Sequence, residues 1–154
     1  MTWERRFERG LAGYADDALP VLRLGFGSVM LLAGADKLVA PADWTAYLAA
    51  PFAALWPLPV APSMIANGVV EVAFGLAILA DRYTALAAAV VAVSMIGVLV
   101  DLAVAAALSG RFVDILIRDL GITALAAGVA LLAADETGDA DEGETGDVSG
   151  RGEE

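Results

Sequence analysis

Residues 19–41, LPVLRLGFGSVMLLAGADKLVAP, decide the fold. Apolar side chains run through the segment as a block rather than as a stripe. A helix of about 20 such residues crosses a hydrocarbon core of about 30 Å. Pro20 stands at the start, where a helix has no use for the missing N–H. Only Arg23, Asp36 and Lys37 interrupt the run. The segment predicts a membrane-spanning helix over about 19–39.

Three further stretches have the same character. One covers about 63–80, after the breakers Pro57, Pro59 and Pro62. The next covers about 84–108, closed by Ser109-Gly110, and the last about 112–134. The fold class is therefore all-α, an integral membrane four-helix bundle in contact with the lipid bilayer. The bundle occupies 19–134, with an N-terminal cytoplasmic segment over 1–18 and an external loop over 40–62. That loop sets Trp44, Tyr47, Phe52 and Trp56 among prolines, which reads as an interfacial lid. Asp43 is placed to cap a short helix that Pro51 ends. Upstream, Trp3 to Tyr14 with Arg5, Arg6 and Arg9 reads as a short surface helix.

Composition agrees with a membrane chain and removes several chemistries. Of the 154 residues, 59% are hydrophobic, and there is no histidine and no cysteine. That excludes thiolate nucleophiles, redox-active CxxC pairs, Ser-His triads and imidazole or thiolate metal ligands, so no metal site is expected. The net charge of −11 is uneven, because the segment from Asp135 onward holds nine acids against one arginine. With Val148 its only bulky aliphatic residue, 135–154 is expected to be a disordered acidic tail of a kind suited to a halophilic cytoplasm. No basic patch exists to hold nucleic acid. Arg5, Arg6, Arg9, Arg82 and Arg151 on one side, against Lys37 and Arg111 on the other, place both termini in the cytoplasm and the chain in the cell membrane.

The informative pattern appears when each span is read at about 3.5-residue spacing. The first span aligns Arg23, Gly27, Met30, Gly34 and Lys37, and the second aligns Met64, Gly68, Glu71, Gly75 and Ile78. The third aligns Ser94, Gly97 and Asp101, and the fourth aligns Asp114, Arg118, Gly121, Leu125 and Gly128. Small residues mark close helix approach in lipid, so Gly27, Gly34, Gly68, Gly75, Gly97, Gly121 and Gly128 are the expected packing positions. The ionisable residues share those faces and should point into the bundle. At a rise of about 1.5 Å per residue, Glu71, Asp101, Arg118 and Asp119 lie about 9–12 Å below the outer surface, with Asn67 above Glu71 and Asp36 and Lys37 near the surface. Arg23 sits alone toward the inner side and is expected to snorkel to headgroups.

Two readings of this cluster stay open. One is a structural salt network, with Asp114–Arg118 along a helix and Arg118–Asp101 across helices. The other is a polar cavity in which Glu71 or Asp101 takes a proton or a polar headgroup.

At these residues the sequence resembles the DoxX family of small four-helix membrane proteins. The resemblance rests on Arg23, Gly27, Gly34 and Lys37 in LRLGFGSVMLLAGADKLVAP, and on Glu71 and Gly75 in VVEVAFGLAIL. It covers about Leu19–Ala134. DoxX-like proteins are similar to the quinone-linked membrane subunit of thiosulfate:quinone oxidoreductase, and others associate with membrane redox complexes or serve in assembly. The resemblance implies an anchor or quinone-interacting subunit, with a quinone as cofactor and a redox protein as partner. In that role Glu71 and Asp101 handle protons or a quinone carbonyl, and Lys37 and Arg118 steady an anionic group. Without histidine or cysteine the chain is not a self-sufficient enzyme. The alternatives are a small proton or solute carrier, and an assembly factor without catalytic activity. A homo-oligomer is also expected to be open to a bundle with apolar outer faces.

Overall fold

The computed structural model describes residues 2–150, with side chains for residues 2–15 and 17–138. Helix α1 (Trp3–Ala12) precedes four long helices, α2 (Ala18–Val39), α5 (Val60–Leu79), α6 (Thr84–Ser109) and α7 (Val113–Gly150). Two short helices, α3 (Pro41–Thr45) and α4 (Ala50–Leu55), lie in the loop between α2 and α5. No strand occurs among the described residues. Four segments are long and apolar enough to span a membrane: Ala18–Val39, Val60–Leu79, Thr84–Ser109 and Val113–Gly138.

Local chemistry sets the boundaries. Pro41 and Pro51 stand in the first turns of α3 and α4. The expectation that Pro51 ends a helix is corrected: its fixed φ and missing N–H suit a first turn, so it opens α4. Helix α6 ends on Gly110 in the left-handed region, φ 67°, with its N–H donating to the Ala106 carbonyl. Between α5 and α6 the chain reverses in a tight turn that puts Asp81 (φ 53°) and Tyr83 (φ 56°) in the same region. Thr84 Oγ1 donates to Asp81 Oδ1 at 3.0 Å and steadies that turn.

The helices associate in two antiparallel pairs. Helices α2 and α5 touch through their backbones. A Cβ on Gly34 would stand 2.7 Å from the Gly68 carbonyl oxygen, and one on Gly75 would stand 2.7 Å from the Leu31 nitrogen. Gly27 and Gly68 are similarly hemmed in. Glycine thus permits an approach that any side chain would block. The second pair, α6 and α7, is different. Around Gly97, Gly121 and Gly128 there is open space, so these three are corrected as sites of close packing. The buried face of α7 is Asp119, Ala126, Val129 and Ala133, turned by about one residue from the Asp114–Gly128 seam. Alanine and valine fill that contact, and the glycine rule selected the wrong side of the helix.

The two pairs close on each other at the end opposite the α2–α5 loop. There Leu19, Phe26, Ile78, Ala88, Ala126 and Val129 form an apolar core, all but Leu19 fully buried. Large apolar side chains on the outer faces, such as Leu32, Val69, Leu86, Val93, Ile117 and Leu131, are exposed. In a bilayer these meet acyl chains.

Helix α1 packs none of its residues. Trp3, Phe7, Leu11 and Tyr14 recur at helical spacing and are all exposed. At the other terminus α7 runs on past Ala134, so that residues 135–138, the start of the segment expected to be a disordered acidic tail, are helical. Extending a helix that already exists needs no new nucleus. Residues 134–138 of it are exposed. Residues 151–154 of the expected tail lie outside the described residues.

Candidate functional site

At the loop end the two helix pairs stand apart, and the gap is a cavity of about 580 Å³. Its upper wall is aromatic, with Trp44, Tyr47, Phe52 and Trp56 from the loop. Asp101, Ser94 and Gly97 of α6 and Ile115 of α7 form the other side. The open space around Gly97 is therefore part of the cavity. A smaller recess of about 140 Å³ adjoins it, and both are bordered by Lys37, Trp44, Asn67, Ser94, Arg118 and Asp119. Glu71, Met30, Phe74 and Met95 line the smaller recess alone.

The charges are organised around the α2–α5 seam. Lys37 Nζ forms an ion pair and hydrogen bond with Glu71 Oε1. Only 8% of the Lys37 side chain and 14% of the Glu71 side chain are exposed. Asn67 Nδ2 donates to the same Oε1 at 3.0 Å. The second oxygen, Glu71 Oε2, is buried and has no hydrogen-bond partner. Close backbone contact at Gly34 and Gly68 brings the two helices near enough for this pair to form. The ammonium of Lys37 also lies 4.2 Å from the centre of the Trp44 ring, a cation–π contact. A buried pair of this sort fixes the relative register of two helices more surely than it adds stability.

Aromatic and polar contacts hold the loop over the cavity. Trp44 Nε1 donates to Asp36 Oδ2 at 2.8 Å, so Asp36 positions the lid and does not itself border the cavity. Trp44 meets Tyr47 edge-on, with ring centres 5.7 Å apart. Tyr47 meets Phe112 in the same way at 5.1 Å, which ties the loop to the start of α7. Trp56 Nε1 donates to Ser63 Oγ at 2.9 Å. Asp101 Oδ1 accepts the Ala49 N–H at 3.0 Å, where the loop enters α4.

Three expected pairings change. Arg118 pairs with its neighbour Asp119 at 2.8 Å, and neither Asp114 nor Asp101 is its partner. Adjacent residues meet here because Asp119 turns into the bundle, 10% exposed, while Arg118 lies along the rim. Arg23 does not reach for headgroups alone. It pairs with Asp81 in the α5–α6 turn, which folds back over the end of α2. Sequence spacing gave no sign of this contact, because it depends on the left-handed turn. The Trp44–Asp36 and Ala49–Asp101 bonds were missed for a similar reason: both join an irregular loop to a helix.

The DoxX family profile matches residues 18–106, more than half of the chain. The chain belongs to the DoxX family. The matched segment of this DoxX protein carries Lys37, Asn67, Glu71 and Asp101, and it stops short of Arg118 and Asp119 on α7. No curated protein and no solved structure is significantly similar to it. Its family and its four spanning helices together make it a multi-pass membrane protein.

Proposed function

We propose that this DoxX protein is the anchor or quinone-interacting subunit of a membrane-associated oxidoreductase system, with both termini in the cytoplasm of the cell and the cavity opening outward. The observation that carries the reading is the loop-end cavity, which joins an aromatic wall to a few converging polar groups. That is the usual make-up of a small-molecule site, mostly apolar with few polar groups that fix orientation. A lipophilic aromatic headgroup fits such a lining. Trp44, Tyr47 and Phe52 offer ring faces and edges and Arg118 offers donors, while Glu71 lines the smaller recess that adjoins the cavity.

A bound quinone supplies the electron-carrying chemistry that a chain without cysteine or histidine lacks. The chain's own residues bind and orient that headgroup, and the loop aromatics shield it from water. Asp101 Oδ1 accepts the Ala49 N–H and so serves the lid, and Glu71, in the recess beside the cavity, is the acid proposed for the headgroup. The apolar core at the opposite end supports binding over conduction, since no polar path continues through Phe26, Ile78 and Val129.

The test is mass spectrometry of the gently purified protein, reading lipophilic ligands and co-purifying proteins together. A stoichiometric quinone that is lost in Glu71→Gln is the expected result. Absence of both a quinone and a redox partner would remove this function and leave an assembly factor.

A further inference from the structure

Helix α1 takes no part in the bundle, and none of its residues is buried. Its side chains are sorted all the same. At about 3.6 residues per turn, Trp3, Phe7 and Leu11 fall within an arc of about 80°, and all three are exposed. Arg6 borders that arc on one side and Glu4 on the other, while Arg5 and Arg9 lie opposite. Gly13, Tyr14 and the short 3-10 helix Ala15–Asp17 separate α1 from α2, so α1 is an element of its own and not the start of the span. The chain also fixes where α1 can lie. Residues 13–17 would reach at most about 20 Å if fully extended, and they are folded into turns. Since α2 begins its span at Ala18, α1 is held beside the bilayer surface at the sealed end of the bundle.

We infer that α1 lies in the plane of that surface, with Trp3, Phe7 and Leu11 sunk to the boundary between headgroups and acyl chains. A helix of this kind buries its apolar face by about 5–10 Å. Arg6, at the edge of the arc, lays its stem along acyl carbons and donates to headgroup phosphates. Three arginines on α1 oppose two glutamates, so the apolar face supplies most of the attachment and net charge little. A second copy of the chain is a poorer occupant. Trp3 and Phe7 cover at most about 250 Å² each and Leu11 less, short of the roughly 800 Å² that each partner buries in a stable complex. The bilayer needs no such area, because α2 tethers α1 to it and makes the contact intramolecular. This contact is independent of the cavity and of any ligand in it.

The natural chain has no cysteine, so nitroxide labels can be placed singly. Phe7→Cys and Leu11→Cys put them on the apolar arc, and Arg5→Cys and Ala12→Cys put them away from it. All four positions are exposed, so the labels displace no packing. The full chain is reconstituted in phosphatidylcholine vesicles. Power-saturation EPR then compares collisions with oxygen, which concentrates in lipid, and with a water-soluble nickel chelate. The oxygen-to-nickel collision ratio is expected to be several-fold higher at 7 and 11 than at 5 and 12. Equal ratios, with nickel reaching all four positions, overturn the inference and put α1 in water. Shielding of 7 and 11 from both reagents also overturns it, and dipolar broadening between labelled chains would then name a second copy as the cover.

Discussion

The two ends of the bundle contain the same four helices and differ in what lies between them. At the far end α2, α5, α6 and α7 meet around Phe26, Ile78, Ala126 and Val129, all fully buried. At the loop end the α2–α5 pair stays shut while α6 and α7 move off, leaving the cavity of about 580 Å³. Glycine backbone contacts run along the α2–α5 pair at both ends, from Gly27–Gly75 to Gly34–Gly68. That pair is closed along its length, and the second pair meets it at the apolar core. The lesson is that intramembrane charge was admitted only where the bundle opens. Arg23, at the far end, is answered by Asp81 in a turn outside the spans.

The contrast can be broken most severely at Lys37. Lys37→Met strands Glu71, and removal of one partner from a buried ion pair is worth about 3–5 kcal/mol of stability. Unfolding in a denaturing detergent should show that loss, and adding Glu71→Leu should restore most of it. Arg118→Met leaves Asp119, 10% exposed, without its partner, but Arg118 is itself 56% exposed and both residues border the cavity, so a smaller loss of about 1–3 kcal/mol is expected in the same titration. Equal losses would mean that the two ion pairs are equally embedded.

A second prediction contrasts the two helix pairs. In Gly34→Ala the new methyl meets backbone at 2.7 and 2.8 Å, with no flexible side chain to give way. A destabilisation of about 1–3 kcal/mol is expected, as for overpacking elsewhere. Gly121→Ala enters open space and should be neutral or gain up to about 1 kcal/mol from helix propensity. The reverse order would place the tight seam on α7.

A smaller effect is expected at the lid. Asp101→Ala removes the acceptor of the Ala49 N–H, a hydrogen bond worth about 1 kcal/mol. Amide exchange over residues 46–52 should quicken while exchange in the far-end core stays unchanged. Faster exchange around Ala126 as well would show that Asp101 supports the whole bundle.

Much of this was legible from the chain. Block hydrophobicity located the four spans to within a few residues, because a bilayer demands length before pattern. Spacing along the first two spans picked out Gly27, Gly34, Gly68 and Gly75, where backbone meets backbone. The same spacing misjudged Gly97, Gly121 and Gly128. A glycine also marks the space a cavity needs, and Gly97 borders one. Residue type alone does not separate those two uses. Periodicity names a helix face but not the partner across it, so Arg118 was joined to Asp114 and Asp101 instead of Asp119. The loop contacts of Trp44 and Ala49 depend on irregular backbone that no spacing encodes. The acidic composition after Ala134 gave no hint that helix α7 would carry on through residues 135–138.

The central claim is that the loop end is an accessible cavity and the far end a sealed core. The natural chain has no cysteine, so single thiols can be placed on a silent background. Gly97→Cys puts one on the cavity wall, in open space, and Ala126→Cys puts one in the core. A small charged methanethiosulfonate reagent added outside intact cells should modify Gly97→Cys and leave Ala126→Cys untouched until the protein is unfolded. A Gly97→Cys thiol that stays silent until unfolding, or an Ala126→Cys thiol that reacts first, would contradict the account.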